Sequence, residues 1–576
     1  MTRNYKEEYQ RWLDSPALSE SEWEELNSIA NDEKEIESRF FAPLEFGTAG
    51  LRGTMKLGLH QMNVHIIRHA TQAFANVIKA EGEEAMKKGI AICFDCRNNS
   101  ELFAHEAACV MAANGIHVRI FDALRPTPEL SFAVRYYGTT AGLNITASHN
   151  PKEYNGYKVY WSDGAQLPPQ HAEAIAEQMS KIDIFDDFVS CDFDEAVSQG
   201  KIELIGTETD EAYLECVLGQ AINKPLVAKV APELKIVYTP FHGAGYKLVP
   251  EALRRLGITQ LYPVPEQMVI DGNFPTVESP NPENPEGFYL AVDLAKKVGS
   301  DLIIGTDPDS DRIGVMVRSG GDYISITGNQ LGVLLLDYVI NARKAAGTLP
   351  ENAGAVKSIV TTEMAKAVAE TNGVHFEDTF TGFKFMAERI AQWEKAGSYK
   401  YIFAYEESYG YMMGDYVRDK DAVTASMMVA EMAAYYYDKG MNLSQAMESL
   451  YAKYGRYAEK TLNLVMPGLD GIVKMKNLMD ELRSNPPKQI AGVEVFKLRD
   501  YSDGSIKVPE LGVMGQTPIK GSNVLYFELA DGTSFIVRPS GTEPKVKVYI
   551  LCKGADKAEC DAKIAKYSEY AEGLRK

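Results

Sequence analysis

Cysteine is scarce in this chain, with 7 residues scattered among 576. So few thiols without regular spacing argue against a disulfide framework and are typical of a reducing compartment. Cys93 and Cys96 form a Cys-x-x-Cys pair, but they straddle the end of a predicted strand. We therefore favour a structural role for this pair over a redox role.

Long apolar runs are also absent. No stretch approaches the roughly 18 uninterrupted apolar residues that a membrane-spanning helix needs. The first residues, Met1 to Glu8, contain no apolar core of the signal-peptide type. We therefore expect a soluble, cytoplasmic protein with no membrane partner.

Basic residues are the minority among the charged ones. The chain has 60 Lys and Arg against 80 Asp and Glu, a formal net charge of -20. This balance argues against nucleic acid or an anionic membrane as the main partner. An anionic small-molecule substrate would need a local basic pocket.

The length and the hydrophobic pattern predict several α/β domains. A chain of 576 residues is too long for one core and corresponds to about four domains. From about residue 89 short apolar strands alternate with helices, and the alternation restarts at Lys235 and Lys357, as a diverged internal repeat would produce. This pattern predicts three similar α/β domains with mainly parallel or mixed sheets, and the tail reads as an α+β domain. The domains are predicted over residues 1–205, which include charged helices up to residue 40, 206–325, 326–460 and 461–576.

The individual elements follow from the same pattern. Strands are predicted at Ile90–Phe94, His117–Phe121, Ala141–Ile145, Lys235–Thr239, Asp301–Gly305, Lys357–Thr361, Tyr401–Tyr405, Val524–Leu529, Ser534–Val537 and Lys545–Leu551. Helices are predicted at Leu102–Ala113, Pro128–Arg135, Tyr246–Leu256, Glu363–Thr371 and Asp556–Leu574. Because ligands bind beyond the carboxyl ends of strands in such sheets, we expect Asp95, Arg97 and Ser148 near a site.

The segment Thr146-Ala147-Ser148-His149-Asn150-Pro151 ends one of these strands with a serine among small, polar and turn-forming residues. By itself the segment is best explained as a turn in which Ser148 caps the next element of the chain. A serine hydroxyl becomes a nucleophile only when a base, a charge or a metal activates it. The assignment of Ser148 therefore depends on partners elsewhere in the chain.

A candidate metal site follows the predicted strand Asp301–Gly305 of the second α/β domain. Asp307, Asp309 and Asp311 alternate along an extended segment, so their carboxylates point to one side and repel unless a cation neutralises them. Hard oxygen ligands suit Mg²⁺. An EF-hand loop is excluded because Arg312 and Arg318 stand where that loop needs Gly and Glu. The alternative is a solvated acidic turn.

The segment Arg538-Pro539-Ser540-Gly541-Thr542-Glu543-Pro544-Lys545 joins two predicted strands. An arginine fork, two hydroxyls and a glycine that lets the backbone approach closely are the groups that bind a phosphate dianion. An ordinary hairpin turn is the alternative, but it does not require Arg, Ser and Thr together. Phosphate binding is the favoured interpretation.

Three further segments have weaker local signals. Glu406-Glu407-Ser408 ends a predicted strand with two acids, which are costly to bury unpaired and for which sugar hydroxyls are natural partners. N-capping of a following segment explains these residues equally well. Arg418-Asp419-Lys420-Asp421 is, on local grounds, a solvated charge run that opens a helix. The loop 47–53 carries Arg52 and is neither a Walker loop nor a dinucleotide fingerprint.

Taken together, these segments resemble the α-D-phosphohexomutase superfamily, which contains the phosphoglucomutases and phosphomannomutases. The resemblance covers nearly the whole chain and places the inferred domains in the family's order around a central cleft. The serine, Asp-x-Asp-x-Asp-Arg and Arg-Pro-Ser-Gly-Thr-Glu-Pro motifs carry it. Thr381-Gly382-Phe383-Lys384 and the Glu-Glu-Ser form are similar to phosphoglucomutases and the related phosphopentomutase branch.

The resemblance implies a role for each candidate residue. Ser148 would carry the phosphoryl group, and its oxygen together with Asp307, Asp309 and Asp311 would hold Mg²⁺. Arg52 and Arg312 would contact the phosphoserine, His149 and Lys158 would line the same cleft, and Lys420 would transfer a proton.

The resemblance also implies residues that recognise the substrate. Thr381 and Gly382 would determine sugar specificity, and Glu406 and Ser408 would contact sugar hydroxyls. The residues that would bind the phosphate that is not transferred are Arg538, Ser540, Gly541 and Thr542, with Lys545 assisting.

The resemblance also implies two phosphoryl transfers through a sugar bisphosphate that turns around, with glucose 1,6-bisphosphate as the activator that primes Ser148. The leading expectation is interconversion of glucose 1-phosphate and glucose 6-phosphate. Mannose or pentose phosphates are alternative substrates for the same chemistry. A sugar-phosphate sensor and a phosphatase are the less favoured alternatives of other classes.

Overall fold

The computed structural model describes residues 4–47, 50–466, 471–509, 511–540 and 545–575. The chain divides into two compact units. The first contains Met1–Thr327 and Tyr409–Asn442, and the second contains Gly328–Ser408 and Leu443–Lys576. In the described ranges no helix is both long enough and apolar enough to cross a membrane.

Three helices begin the first unit: α1 (Tyr5–Leu13), α2 (Glu20–Ser28) and α3 (Glu33–Phe40). Asn4 and Ser19 start α1 and α2 with capping boxes, which satisfy main-chain N–H groups that have no partner inside the helix. The fully buried Trp12 anchors this segment, since its ring makes edge contacts with Phe40 and Phe185. The charged helices thus share the core of the first sheet.

The first sheet has six strands in the order β1-β5-β4-β2-β3-β6. They are β1 (Leu51–Thr54), β2 (Ile90–Phe94), β3 (Val118–Phe121), β4 (Ala141–Ile145), β5 (Tyr154–Trp161) and β6 (Ile202–Ile205). The helices are α4 (Val64–Ala80), α5 (Glu83–Lys88), α6 (Ser100–Ala113), α7 (Thr127–Tyr137), α8 (Pro169–Lys181) and α9 (Phe193–Ser198). Strands β4, β2, β3 and β6 are parallel, whereas β5 runs antiparallel to both of its neighbours.

The second sheet repeats this arrangement with the order β11-β10-β9-β7-β8. Its strands are β7 (Lys235–Thr239), β8 (Gln260–Pro263), β9 (Leu302–Thr306), β10 (Ile313–Ser319) and β11 (Asp322–Ile326). Its helices are α10 (Thr207–Leu218), α11 (Lys224–Val230), α12 (Gly245–Leu256) and α13 (Tyr289–Val298), with a 3-10 turn at Pro285–Phe288. Strands β9, β7 and β8 are parallel, and β10 is antiparallel to β9.

The second unit opens with a third α/β segment. It contains α14 (Gly328–Ala345), β12 (Ala353–Ser358), α15 (Met364–Thr371), β13 (His375–Thr379), α16 (Phe383–Ala396) and β14 (Lys400–Glu406). Strand β12 pairs in parallel with β13 on one side and β14 on the other. In all three segments, therefore, the first strand lies between the second and the third, which agrees with a diverged repeat.

The chain then returns to the first unit with β15 (Gly410–Met412) and α17 (Ala422–Asp438). The second unit resumes with α18 (Leu443–Tyr454), β16 (Arg456–Val465), α19 (Gly471–Ser484), β17 (Gln489–Ile490), β18 (Val493–Asp500), β19 (Ser505–Val508), β20 (Gly512–Gln516), β21 (Leu525–Leu529), β22 (Ser534–Pro539), β23 (Lys545–Gly554) and α20 (Lys557–Gly573). These strands form an antiparallel sheet in the order β16-β23-β22-β21-β18-β19-β20, with β17 paired to β18. Residues of α19 and α20, including Met479 and Tyr567, share its apolar core.

The predicted fold class is confirmed: three α/β segments precede an α+β tail. The strand predicted at Lys357–Thr361 is wrong at both ends, because β12 begins at Ala353 and stops at Ser358. The chain turns there, and the hydroxyls of Ser358 and Thr361 meet 2.8 Å apart while both donate to Glu407. The antiparallel strands β5 and β10 were not predicted.

Close packing between α14 and β14 gives a test of the second unit. A methyl group on Gly332 would overlap the ring of Tyr405, whereas one on Gly573 would have no atom within 4 Å. We expect Gly332→Ala to lower the free energy of unfolding by about 1–3 kcal/mol, the usual cost of overpacking. Urea unfolding followed by circular dichroism measures the change.

Gly573→Ala is the matched control, because the same substitution in α20 adds helix propensity without a clash. Its midpoint should equal or slightly exceed that of the parent chain. An unchanged midpoint for Gly332→Ala would contradict the packing described for Tyr405.

Candidate active site

The serine loop follows β4 in the first unit. Ser148 is buried and has a left-handed backbone with φ 53°. Its Oγ donates to Asp307 Oδ2 at 3.1 Å and lies 3.3 Å from His149 Nδ1. The next element is β5, not a helix, so the interpretation of Ser148 as a cap is wrong. The structure instead brings this hydroxyl to the acid cluster.

The acid cluster occupies the turn after β9. Asp307, Asp309 and Asp311 are buried, and each offers a carboxylate oxygen within 4.8 Å of the others. Ser310, with φ 51°, makes the tight turn between them. Asp307 Oδ1 accepts the main-chain N–H groups of Asp311 and Arg312, both at 3.0 Å. The interpretation as a solvated acidic turn is therefore wrong.

The pKa values of these carboxyls reflect crowding of negative charge. Burial, followed by repulsion from Asp309 and Asp311, raises the pKa of Asp307 well above its usual range. Burial also pushes the pKa of Asp309 upward, but the ammonium of Lys158 outweighs it and holds that pKa below its usual range. Lys158 Nζ donates to Asp309 Oδ2 at 2.7 Å.

The donor set fits a divalent cation. Among the described residues none donates a hydrogen bond to Asp309 Oδ1, although this atom is buried. Three carboxylates around one point are hard oxygen ligands that suit Mg²⁺. These three residues can therefore hold a metal ion, in agreement with the prediction from the sequence.

Two groups that the sequence analysis missed tie other elements to this cluster. Thr127, the first residue of α7, donates its hydroxyl to Asp309 Oδ2 at 2.8 Å. Asp419 accepts from Tyr160 at 2.7 Å and from Gln166 at 3.0 Å. Only the position of Asp419 beside Lys420 was a signal in the sequence, and nothing local distinguishes Thr127.

Lys420 lies between two acids. Its Nζ is 3.1 Å from Asp311 Oδ2 and 3.1 Å from Asp419 Oδ1. All four residues of the segment 418–421 are buried, so it is not the solvated charge run that its local sequence favours. The structure places Lys420 at the acid cluster.

Further cationic groups lie around the serine loop. Arg52 on β1 donates to Asn150 Oδ1 at 2.9 Å, and Arg312 donates to Glu283 Oε1 at 3.0 Å. Burial, followed by the charges of Arg312 and Arg52, lowers the pKa of His149 well below its usual range. These surroundings favour the neutral form of the His149 imidazole.

The sugar-loop candidates lie in the second unit. Glu406 ends β14 and accepts the main-chain N–H of Gly382, whose φ is 113°. Thr381 precedes Gly382 in the same turn, and Ser408 follows two residues after Glu406. The next helix, α17, is capped by Asp421, so the N-capping explanation of the Glu-Glu-Ser segment is wrong.

The phosphate-loop candidates also lie in the second unit. Arg538 on β22 stands opposite Lys547 on β23, and the Ser540 N–H donates to the Lys545 carbonyl at 2.8 Å. Gly541 and Thr542 lie outside the described residues. Strands β22 and β23 pair in antiparallel fashion, which agrees with either interpretation from the sequence.

The remaining thiol prediction concerns Cys93 and Cys96. Both are free cysteines, and Cys93 Sγ donates to the Arg125 carbonyl at 3.2 Å. Burial raises the pKa of both thiols well above the usual range. A structural role fits this environment.

Four descriptions of the phosphoglucomutase/phosphomannomutase family match the chain in order. The alpha/beta/alpha domains I, II and III match residues 43–184, 211–320 and 327–454, and the C-terminal domain matches residues 477–566. A phosphoglucomutase of Staphylococcus aureus (strain MRSA252) is 36% identical over 528 residues, which cover 91% of this chain and 92% of the relative. The chain belongs to this family. It is an enzyme with mutase activity, an isomerase of the phosphoglucomutase kind, as the sequence predicts.

A second relative agrees with this assignment, and two solved structures share the fold. A phosphoglucomutase of Staphylococcus haemolyticus (strain JCSC1435) is 35% identical over 89% of this chain and 91% of its own length. The fold is similar to a putative phosphomannomutase from Thermus thermophilus, with TM-score 0.67, 20% identity and coverage of 92% and 100% of the two chains. Parafusin from Paramecium, a phosphoglucomutase in its open form, gives TM-score 0.68, 18% identity and coverage of 93% and 95%.

Metal binding can be tested without activity. We expect MgCl2 to raise the melting temperature of metal-free protein, because an ion that binds only the folded state stabilises it, by about 2.7 kcal/mol at one hundred times Kd. Asp309→Asn should abolish most of this shift, since it removes charge from the ligand set. Differential scanning fluorimetry over a MgCl2 series measures it.

Asp322→Asn is the matched control, because Asp322 is a surface acid of the same unit that pairs with Lys296 at 3.0 Å. This variant should keep the full response to MgCl2. An equal shift in Asp309→Asn and in the parent chain would argue against metal binding at the cluster.

Proposed function

We propose that this enzyme interconverts glucose 1-phosphate and glucose 6-phosphate through a phosphorylated Ser148 and a glucose 1,6-bisphosphate intermediate. The observation that carries the proposal is the 3.1 Å hydrogen bond from Ser148 Oγ to Asp307 in a cluster that fits a divalent cation. The staphylococcal relatives, named phosphoglucomutases, support glucose phosphates as the substrates.

In the first transfer, the bond between phosphorus and Ser148 Oγ breaks as a bond from phosphorus to a sugar oxygen forms. In the second, the other phosphoryl group of the bisphosphate returns to Ser148 Oγ. Mg²⁺ held by Asp307, Asp309 and Asp311, together with an oxygen of phosphorylated Ser148, would withdraw charge from the phosphoryl group. Glucose 1,6-bisphosphate primes the enzyme, because an unphosphorylated serine has nothing to donate.

The cationic residues of the first unit have separate roles in this proposal. Arg52 and Arg312 contact the phosphoryl group on Ser148, and His149 and Lys158 line the same part of the site. Lys420 takes the proton that leaves the attacking sugar hydroxyl, and Ser148 Oγ takes up a proton when its bond to phosphorus breaks. In the second transfer Ser148 Oγ loses that proton, and the sugar oxygen that is released gains one. The contact of 3.1 Å between Lys420 and Asp311 supports this placement of Lys420.

The residues of the second unit recognise the substrate in this proposal. Glu406 and Ser408 bind sugar hydroxyls, and Thr381 with Gly382 contributes to sugar specificity. The hydrogen bond from Gly382 to Glu406 supports a common loop structure. The residues proposed to bind the phosphate that is not transferred are Arg538, Ser540, Gly541 and Thr542, with Lys545 assisting.

We also propose the domain limits 1–205, 206–325, 326–460 and 461–576, since each of the four family matches falls inside one of them. Small sugar phosphates are the partners in this proposal. The seven free cysteines fit the cytoplasm that the sequence predicts.

Replacing Ser148 tests the nucleophile. We expect Ser148→Ala to abolish isomerisation of glucose 1-phosphate while sugar-phosphate binding persists, since only the acceptor oxygen is lost. A coupled assay on glucose, mannose, glucosamine and ribose 1-phosphates, with and without glucose 1,6-bisphosphate, should give the highest kcat/KM for glucose. Intact-mass measurement should show one phosphate adduct that the variant lacks.

The control is Ser180→Ala, because Ser180 is an exposed serine of α8 in the same unit. It should keep both the adduct and the activity. Normal turnover by Ser148→Ala would contradict the assignment of Ser148 as the nucleophile. A higher kcat/KM for another sugar phosphate would identify that sugar, rather than glucose, as the substrate. Release of inorganic phosphate would favour a phosphatase.

Replacing Arg538 tests phosphate binding. We expect Arg538→Ala to raise KM about 10- to 100-fold with a smaller effect on kcat, which corresponds to loss of a hydrogen bond to a charged group. Lys553→Ala, an exposed cation on the same hairpin, should leave KM unchanged. Steady-state kinetics with glucose 1-phosphate measure both, and equal KM values for the two variants would count against phosphate binding by Arg538.

A further inference from the structure

The guanidinium of Arg97 lies beneath the serine loop. Strand β2 ends at Phe94, and Asp95 and Arg97 follow it with side chains that are fully buried. Arg97 Nη2 donates to the carbonyls of Ser148 and Asn150, both at 2.6 Å. Its Nη1 donates to the carbonyls of Pro151 at 2.8 Å and Tyr154 at 3.1 Å.

The four terminal N–H groups of Arg97 all donate to main-chain carbonyls. A guanidinium has five N–H groups. Four serve the main chain between residues 148 and 154, and Nε lies 3.2 Å from Asp95 Oδ2. The ring of Phe274 packs 5.2 Å from the guanidinium carbon and closes one face. One side chain therefore fixes four carbonyls of a single loop.

Asp95 connects the same loop by a second route. Its Oδ2 accepts the Thr146 hydroxyl at 2.6 Å, and Thr146 Oγ1 in turn accepts the Ser148 N–H at 2.9 Å. Its Oδ1 accepts the Ser100 hydroxyl at 2.7 Å and the Arg97 N–H at 2.9 Å. Both the N–H and the carbonyl of Ser148 are thus held by the pair of Asp95 and Arg97.

This support has a physical purpose. The left-handed backbone of Ser148, with φ 53°, is unfavourable for a residue other than glycine and persists only where its surroundings enforce it. Phosphoryl transfer depends on the position of the reacting oxygen more than on covalent chemistry by the protein. Because Asp95 neutralises Arg97 locally, the contribution of Arg97 is geometric.

We propose that Arg97 is a positioning residue of the mutase reaction, which acts with Asp95 and Thr146 to hold the loop 146–154 so that Ser148 Oγ is aligned for transfer. The inference rests on the proposed role of Ser148. Arg97 itself touches the loop and not the reacting atoms. A lysine cannot replace it, since an ammonium has three donors without the planar fork.

The first experiment compares Arg97→Lys with the parent enzyme. We expect kcat for glucose 1-phosphate to fall about 100-fold, as for a small misplacement of a reacting group, while KM changes less than about threefold because substrate contacts are intact. Phosphorylation of Ser148 by glucose 1,6-bisphosphate, followed by intact mass, should slow by a similar factor.

Arg39→Lys is the matched control. Arg39 is another buried arginine of the first unit, and it donates to Glu35 at 2.9 Å, Glu25 at 2.6 Å and the Leu57 carbonyl at 3.2 Å, but not to the serine loop. It should lower the melting temperature as much as Arg97→Lys does and leave kcat unchanged. Equal losses of kcat in the two variants would show that Arg97 has only a general structural role, which would overturn the proposal.

A second pair of variants covers the case in which Arg97→Lys does not fold. Thr146→Val keeps the shape of the side chain but removes both of its hydrogen bonds, so kcat should fall at least about tenfold with little change in KM. Thr146→Ser keeps the hydroxyl and should restore kcat. Normal turnover by Thr146→Val, or no recovery in Thr146→Ser, would overturn the inference.

The Ser148→Ala variant separates the two proposals. If it is inactive while Arg97→Lys and Thr146→Val turn over at the parent rate, the proposed function stands and the positioning role fails. If Ser148→Ala is itself active, the proposed function fails and the positioning role fails with it.

Discussion

The mutual repulsion of three buried carboxylates is the constraint on which the first unit depends. Two unit charges 4 Å apart at a protein surface interact with about 4 kcal/mol, and Asp307, Asp309 and Asp311 have ligand atoms within 4.8 Å of one another. Lys158 from β5 and Lys420 from the segment before α17 offset this repulsion with positive charge, and Thr127 from α7 donates a hydrogen bond from its hydroxyl. The acid cluster therefore gathers elements that are distant in sequence.

The same strand order places candidate residues at the same point in each of the first three segments. Each of the first three segments places its third strand beside its first, and a non-glycine residue with positive φ follows each third strand: Ser148, Ser310 and Tyr409. In a parallel sheet the carboxyl end beside the reversal of strand order is where ligands bind. The repeat explains why the serine loop, the acid cluster and the Glu-Glu-Ser segment occupy equivalent positions in three segments that differ in sequence.

The sequence predicts what is local and leaves out what is not. The apolar runs of β2, β4 and β9 are short and bounded by turn residues, so their positions were predicted to within a residue. Strand β5 was missed because it is buried along nearly its whole length yet carries polar Asn155 and Lys158, which hides the expected alternation. Ser148 and the three aspartates stand in contiguous motifs, whereas the contacts of Thr127, Asp419 and Arg97 arise only when distant elements pack together.

The cations around Ser148 fall into two physical classes. Lys158 and Lys420 face the acid cluster and balance charge, so their contribution depends on what occupies that cluster. Arg97 instead pairs with the buried Asp95, and its terminal N–H groups donate to main-chain carbonyls of the serine loop rather than to the acid cluster. In the proposed mechanism, this division would let the serine loop keep one geometry while the charge of the phosphoryl group arrives and leaves.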